Sequence, residues 1–387
     1  MTNIAAMEAA LQQAVASGAV PGVVALAGDR DGTLYQGAFG QRGLADATPM
    51  SLDTVCAIFS MTKAITSVAA MQLVEAGKLT LDGPLGDLCP HLAAPQVLEG
   101  FDAAGQPKLR PARRAITLRH LLTHTAGFSY NTWNPDVGRF MQVTQMPAAR
   151  SGKLAVLNMP LVFDPGERWE YGINTDWVGH VVEAAAGKPL PDVLRAGVLG
   201  PLGMADTGFV PGPAQQARRA GMHQRGADGG LSAIDWPLNP APEFFGGGGG
   251  LVSSGPDYLR FTRMLLRGGE LDGTRVLKAE TVALMGENHI GDLLMQPMKT
   301  AMPGSSNDFF PFPAVPKNWG LGFMRNTQDL PQGRAAGSLA WAGLGNCYFW
   351  VDPARGKSGV LMTQILPFGD QKVLDLLAAF EAAVYAE

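Results

Sequence analysis

A serine and a lysine three residues apart, Ser60 and Lys63, form the clearest chemical pattern in this sequence of 387 residues. On a helix, positions i and i+3 lie on the same face, so this spacing predicts a lysine amine beside a serine hydroxyl. The hydroxyl attacks a carbonyl only when a neighbouring base accepts its proton, and a desolvated lysine can be that base. A helix-capping serine followed by a solvated lysine has the same spacing. The mainly apolar flanks, residues 56–59 and 64–69, favour a buried lysine instead.

A tyrosine, Tyr171, is the second candidate. It follows the turn signal Asp-Pro-Gly at residues 164–166, and Trp169 lies two positions before it. A phenol held near two cations can exchange a proton with a leaving group. The alternative is a core tyrosine whose hydroxyl is satisfied by a hydrogen bond.

A third pattern, residues 340–346, combines Trp341 with Gly343 and Gly345. Glycine at the start or edge of a strand lets a ligand approach the backbone closely. An oxyanion hole requires such an accessible backbone N–H group. A strand kink beside a packed tryptophan is the alternative interpretation.

The order and spacing of these three patterns resemble the class C β-lactamase and penicillin-binding-protein superfamily. Within it, the sequence is most similar to the bacterial family VIII carboxylesterases. The similarity also includes residues 118–127, 163–171 and 246–261, so it covers nearly the whole chain.

The resemblance implies a role for each patterned residue. Ser60 would be the acylated nucleophile, Lys63 the general base and Tyr171 a proton shuttle. The backbone N–H groups of Ser60 and Leu344 would form the oxyanion hole. The residues expected to contact substrate are Phe128, Tyr130, Trp341 and Gly343.

Two departures from the β-lactamase pattern bear on the substrate. Where those enzymes have Tyr-x-Asn, Ile173 occupies the asparagine position and Asn174 comes one residue later. Where they have Lys-Thr-Gly, this chain has Trp341-Ala-Gly343. An apolar wall in place of a cation favours an uncharged ester over an anionic lactam, because an unpaired anion is costly to desolvate.

The implied fold is α/β (α+β) and serine β-lactamase-like, with an antiparallel sheet flanked by helices. We expect a discontinuous α/β domain of residues 1–79 and 245–387, a mainly helical domain of residues 80–244, and the active site at their interface. Residue patterns predict helices over residues 7–16, 60–75, 118–123, 176–186, 256–267 and 371–386. They predict strands over residues 23–28, 33–39, 320–324, 347–351 and 358–364.

Composition excludes several function classes. A net charge of −4 does not favour nucleic-acid binding, and no apolar run is long enough to predict a membrane span. His120 and His124 have zinc-ligand spacing, but Leu121 stands where a metalloprotease has glutamate, so we expect structural histidines and no metal or cofactor. The three cysteines are too few and too scattered for a disulfide framework, so we expect reduced thiols. The first twenty residues lack the features of a signal peptide, so we expect a soluble, cytoplasmic protein.

The function expected first is a serine carboxylesterase that hydrolyses small or short-acyl esters through an acyl-enzyme on Ser60. The alternatives on the same site are a β-lactamase, a D-amino-acid peptidase or amidase, and an acyltransferase. A non-catalytic binding module is a further alternative, and the presence of Ser60, Lys63 and Tyr171 argues against it. The expected partner is a small ester; the physiological substrate and the oligomeric state do not follow from the sequence.

Overall fold

A computed structural model describes residues 3–386, and the strands in that range form one large sheet and four small ones. The strands are β1 (Gly22–Asp29), β2 (Thr33–Gly43), β3 (Asp46–Pro49), β4 (Cys56–Ala57), β5 (Gln96–Phe101), β6 (Pro107–Pro111), β7 (Met222–Arg225), β8 (Leu231–Ile234), β9 (Val252–Ser253), β10 (Glu270–Leu271), β11 (Thr274–Arg275), β12 (Lys317–Trp319), β13 (Met324–Asn326), β14 (Leu339–Gly343), β15 (Cys347–Asp352), β16 (Lys357–Met362) and β17 (Ile365–Leu366). The α-helices are α1 (Ile4–Ala16), α2 (Thr62–Glu75), α3 (Leu118–Leu122), α4 (Pro135–Thr144), α5 (Asn174–Ala186), α6 (Leu190–Leu194), α7 (Pro213–Gln216), α8 (Gly255–Leu266), α9 (Ala279–Met285) and α10 (Gln371–Tyr385).

The large sheet joins the two ends of the chain. Its strand order is β12-β13-β14-β15-β16-β1-β2-β3, and every pairing is antiparallel. The pairing of β1 with β16 brings Val24 opposite Met362. The first and last segments therefore share one sheet, as the sequence predicts.

Helices cover both faces of this sheet. Successive residues of a strand point to opposite faces, and two neighbours on β15 show which helix lies where. Phe349 contacts Tyr258 of α8, whereas Trp350 contacts Phe380 of α10. Helix α2 is buried along most of its length and packs against α5, so its side chains lie inside the molecule.

Local details differ from the sequence-based expectations. The helix predicted from residue 60 begins at Thr62, because residues Phe59–Met61 form a 3₁₀ turn. The strand predicted over residues 320–324 is wrong: β12 and β13 flank a turn there, in which Gly322 has a φ of 98°. Residues 80–244 also contain two hairpins, β5–β6 and β7–β8. Within residues 3–386, no helix is long and apolar enough to span a bilayer.

Candidate active site

Ser60 lies in the 3₁₀ turn that leads into α2. The residue before it, Phe59, has a φ of 45°, a left-handed conformation that costs a bulky residue about 1–3 kcal/mol. Packing holds this turn in place, since the Phe59 ring meets Trp236 at 5.6 Å and the Tyr258 hydroxyl donates to the carbonyl of Met61 at 2.8 Å. Ser60 is half-buried at the surface of the turn. The strained backbone thus presents a serine hydroxyl from a fixed position.

Lys63 is buried, with 1% of its surface exposed, and its amine reaches the Ser60 hydroxyl. Its Nζ lies 3.2 Å from Ser60 Oγ, 3.2 Å from the Tyr130 hydroxyl and 2.6 Å from the carbonyl oxygen of Gly248. A protonated amine can donate to all three oxygens. A neutral amine can donate to two of them and accept the Ser60 proton on its lone pair. These three contacts therefore suit the amine before and after it receives a proton.

A buried carboxylate, Asp176, lies behind the lysine. Its Oδ2 accepts a 3.5 Å hydrogen bond from the Tyr130 hydroxyl, and its Oδ1 accepts one of 2.9 Å from the Gly248 N–H. Burial raises the pKa of Asp176, and the charge of Lys63 opposes that shift. Burial also holds the pKa of Tyr130 well above its ordinary value, so this phenol stays protonated and donates.

Lys63, Tyr130, Asp176 and Gly248 form a closed ring of hydrogen bonds. Sequence reasoning placed Tyr130 with substrate and did not identify Asp176 at all. No distinct signal for it is present in the sequence, because an acidic residue in the first turn of a helix, as Asp176 is in α5, is common. The glycine run at residues 246–250 contributes directly: a side chain on Gly248 would place its Cβ 2.7 Å from Asp176 Oδ2.

Tyr171 lies in the same cluster with its hydroxyl turned toward Trp341. The Lys63 Nζ is 4.8 Å from the centroid of the Tyr171 ring, and the Trp341 Nε1–H donates to the Tyr171 hydroxyl at 3.0 Å. Among residues 3–386, neither Ser60 nor Lys63 is hydrogen-bonded to this hydroxyl. The structure thus brings Tyr171 to the site as predicted, while the direct phenol contact of Lys63 belongs to Tyr130.

His124 packs against the Tyr171 ring, and Asn174 lies next to His124. The His124 ring lies 4.8 Å from the Tyr171 ring, and its Nδ1 is 3.0 Å from Asn174 Nδ2. Burial, reinforced by the nearby Lys63 charge, lowers the pKa of His124 well below its ordinary value, so the ring is neutral. Asn174 is therefore occupied in the core and does not face a substrate.

The two backbone N–H groups expected to form the oxyanion hole lie on adjoining segments. Gly343 packs so closely on the Ser60 turn that a Cβ there would come within 2.3 Å of the Ile58 carbonyl oxygen. Leu344 follows directly. Within the part of the chain that the structure describes, neither the Ser60 nor the Leu344 N–H donates to a protein acceptor. Both donors remain free for a developing oxyanion.

Of the other residues predicted to contact substrate, the structure places one at the site and one away from it. Trp341 is buried between Tyr171 and Trp319, at centroid distances of 4.9 Å and 4.7 Å, and forms an apolar wall. Phe128 does not face the site: its buried ring stacks on Trp177, and its carbonyl accepts from Asn174. The assignment of Phe128 to substrate binding is corrected accordingly.

An aromatic and methionine-rich segment, residues 291–316, lies beside Trp341 and beside the loop that contains Tyr130 and Thr132. Phe309 meets the Trp341 ring edge-on at 6.4 Å, and Ala301 N–H donates to the Thr132 carbonyl at 2.8 Å. Met295, Met298 and Phe309 are buried, whereas Met302 is exposed. No cluster of three or more potential metal-ligating side chains occurs within residues 3–386.

Comparisons with known proteins identify the family of the chain. The Beta-lactamase family model matches residues 7–383. Monacolin J acid methylbutanoyltransferase of Aspergillus terreus is 37% identical over 399 residues, covering 98% of this chain and 95% of the relative. Lovastatin esterase of Penicillium rubens is 32% identical over 393 residues, with 98% of each chain covered.

Solved structures show the same fold. Unliganded simvastatin synthase (LovD) from Aspergillus terreus, as its selenomethionyl derivative, superposes with a TM-score of 0.86 at 34% identity, covering 100% of this chain and 98% of that one. EstCE1, a hydrolase with promiscuous acyltransferase activity, has a TM-score of 0.79 at 24% identity, covering 100% and 99%, and supports the fold alone. The relatives of this chain include hydrolases and acyltransferases of the serine β-lactamase-like superfamily. The chain belongs to the Beta-lactamase family and has a β-lactamase-like fold.

Proposed function

We propose that this protein is a serine acyltransferase that moves a short acyl group from an ester donor to an alcohol, with hydrolysis as a competing outcome. The observation that carries the proposal is the 3.2 Å contact between Ser60 Oγ and buried Lys63 Nζ. Acyl transfer is placed before hydrolysis because relatives of 33–38% identity include the methylbutanoyltransferases of Aspergillus terreus and Penicillium citrinum and the acyltransferase mokF of Monascus pilosus, whereas the lovastatin esterase is 32% identical. This reverses the order expected from the sequence, which put the esterase first.

The acylation step follows from the contacts around Lys63. Its amine accepts the Ser60 proton while Ser60 Oγ attacks the ester carbonyl. The carbonyl oxygen gains negative charge opposite the free N–H groups of Ser60 and Leu344. Lys63 then gives this proton to the alcohol of the donor, which leaves, and the acyl group stays on Ser60.

The second step runs the same chemistry in reverse with another nucleophile. An acceptor alcohol gives its proton to the Lys63 amine and attacks the acyl carbonyl, which releases Ser60. Water in the acceptor position gives the free acid instead. The apolar surroundings, with Trp341 buried beside Tyr171, favour an organic alcohol over water as the bound nucleophile.

Lactam hydrolysis has weaker support. A β-lactam brings a carboxylate, and the position where lactamases carry lysine is Trp341, which offers no charge. Desolvating an unpaired anion is costly, so we expect lactams to be slow substrates or acylating inhibitors.

A product analysis separates these functions. The chain is incubated with p-nitrophenyl butyrate and rising concentrations of 1-hexanol or cyclohexanol, and butyrate esters and butyric acid are quantified by chromatography. Ester product that increases at the expense of acid, and disappears in Ser60→Ala, is the expected result. Butyric acid alone at every acceptor concentration would identify an esterase, and comparable nitrocefin turnover would identify a β-lactamase.

A further inference from the structure

A second cavity of about 680 Å³ lies on the far side of the sheet from Ser60. Its floor is the outer face of β14 and β15, its wall is α10, and its roof is the loop of residues 307–313. Ser60, Lys63, Tyr130 and Tyr171 do not line it, whereas Trp341 borders both this cavity and the active site. The volume is that of a site for a small organic molecule.

Small residues on one strand create this space. Ala340 and Ala342 alternate along β14 and point to the outer face, opposite Trp350 and Tyr348 of β15. Phe310 and Phe312 close the top. Two alanines beneath a layer of aromatic rings leave a volume that larger side chains would fill.

Two charged groups in the cavity wall have unused hydrogen-bonding capacity. Arg334, 3% exposed, donates from Nε to Glu381 Oε1 at 2.7 Å, and its Nη groups have no acceptor among residues 3–386. Glu381 is fully buried on α10, and its Oε2 has no partner. A buried acceptor without a partner, as Glu381 Oε2 is, is costly and marks a place where a ligand can donate a hydrogen bond.

Other charged groups near the cavity are already satisfied. Lys317 donates to the carbonyls of Phe312 and Val315, at 2.8 Å and 2.6 Å. Asp352 accepts from the Ala335 N–H and the Tyr385 hydroxyl, at 2.9 Å and 3.1 Å. The cavity lining itself holds Arg334, Glu381, Asp308 and Asp375. Asp308 pairs with Lys299, and Asp375 accepts from Gln371, each at 2.7 Å. Because these carboxylates disfavour an anion and Arg334 already pairs with Glu381, a neutral ligand fits better than an ion.

We propose that this cavity binds a neutral, largely apolar small molecule whose polar end both accepts from Arg334 and donates to Glu381, as a primary carboxamide does. The Arg334 guanidinium lies 5.3 Å from the Phe312 ring and 5.8 Å from the Trp350 ring, which fixes its orientation. The carbonyl oxygen of the ligand accepts from the free Nη groups of Arg334, and the amide N–H of the ligand donates to Glu381 Oε2. The aromatic roof and the alanine floor enclose the apolar part.

The site is independent of the acyl chemistry, so its test uses the Ser60→Ala chain, which cannot turn over an ester. Calorimetry measures the binding of three matched probes: hydrocinnamamide, its isosteric ketone benzylacetone, and hydrocinnamate. We expect the amide to bind and the ketone to bind at least about tenfold more weakly, because it leaves Glu381 Oε2 unpaired. Hydrocinnamate should also bind weakly, since its charge faces Glu381.

Two variants locate the binding. Glu381→Gln replaces the free acceptor by a donor, so the preference should invert toward hydrocinnamate. Ala378→Phe, at a half-buried position in the cavity wall, should abolish binding of all three probes while ester turnover in the Ser60 chain stays within twofold of the unmodified protein. Equal affinity for amide and ketone, binding that survives Ala378→Phe, or no binding by a folded chain would each overturn the proposal.

Discussion

Removing the Tyr130 hydroxyl tests whether the ring of hydrogen bonds behind Ser60 supports catalysis. In Tyr130→Phe, the Lys63 amine loses one of its three oxygen partners, and Asp176 Oδ2 loses its 3.5 Å donor. A buried polar group without its partner costs about 1–3 kcal/mol. The amine becomes positive as it accepts the Ser60 proton, so the loss is felt most in the transition state. We expect the acylation rate to fall roughly tenfold to a hundredfold.

Tyr35 offers a matched control for this change. It is 6% exposed on β2, and its hydroxyl has no hydrogen-bond partner in the described chain. Tyr35→Phe therefore makes the same chemical change without breaking a contact; it should leave the rate unchanged and should not lower the melting temperature, since it removes an unpartnered buried hydroxyl. Stopped-flow release of p-nitrophenol from p-nitrophenyl butyrate gives the acylation rate of each variant. A folded Tyr130→Phe enzyme that acylates within twofold of the Tyr35→Phe enzyme would refute the reasoning.

Three other variants test separate parts of the account. Lys63→Arg should lose nearly all activity while remaining folded, because a guanidinium cannot accept the Ser60 proton; steady-state kinetics within a few-fold of the unmodified enzyme would exclude Lys63 as the base. Gly248→Ala should lower kcat/KM at least about tenfold, since its Cβ would lie 2.7 Å from Asp176 Oδ2; unchanged kinetics would mean that Asp176 does not hold the lysine in place. Asp257, in the first turn of α8, has its pKa raised by burial to about 6, so its stabilising contribution is present below about pH 4 and lost as the pH rises through about 6. Denaturant titrations should show the unfolding free energy of the unmodified protein falling by roughly 2–3 kcal/mol relative to Asp257→Asn over that interval, and a constant difference would contradict the assignment.

Local patterns predicted the parts of the site that depend on neighbouring residues. Ser60 and Lys63 meet because i and i+3 positions share a helix face, even though the serine lies in a 3₁₀ turn. Gly343 packs closely on the Ser60 turn, and its predicted role in letting a ligand approach the backbone stays a prediction. That the first and last segments share one sheet was predicted from the order of helices and strands along the chain.

Contacts between segments that are distant in sequence could not be predicted from those local patterns. Tyr130 and Asp176 are 46 residues apart in sequence, and Asp176 comes near Lys63 because α5 packs against α2. Phe128 was expected to contact substrate, but only the packing shows its ring turned toward Trp177. The strand predicted over residues 320–324 was wrong because two glycines, Gly320 and Gly322, form a turn there; Leu321 and Phe323 are buried in the core as part of that turn.

Mass spectrometry of the acyl-enzyme tests the central claim most directly. The chain is mixed with p-nitrophenyl butyrate, quenched in acid during the burst, digested and mapped for the mass of one butyryl group. We predict that the group is attached to Ser60, that an acceptor alcohol reduces its amount while the corresponding ester appears, and that Ser60→Ala carries none. A butyryl group on a different residue, or turnover by Ser60→Ala at a rate near that of the unmodified enzyme, would contradict the assignment of Ser60 as the nucleophile.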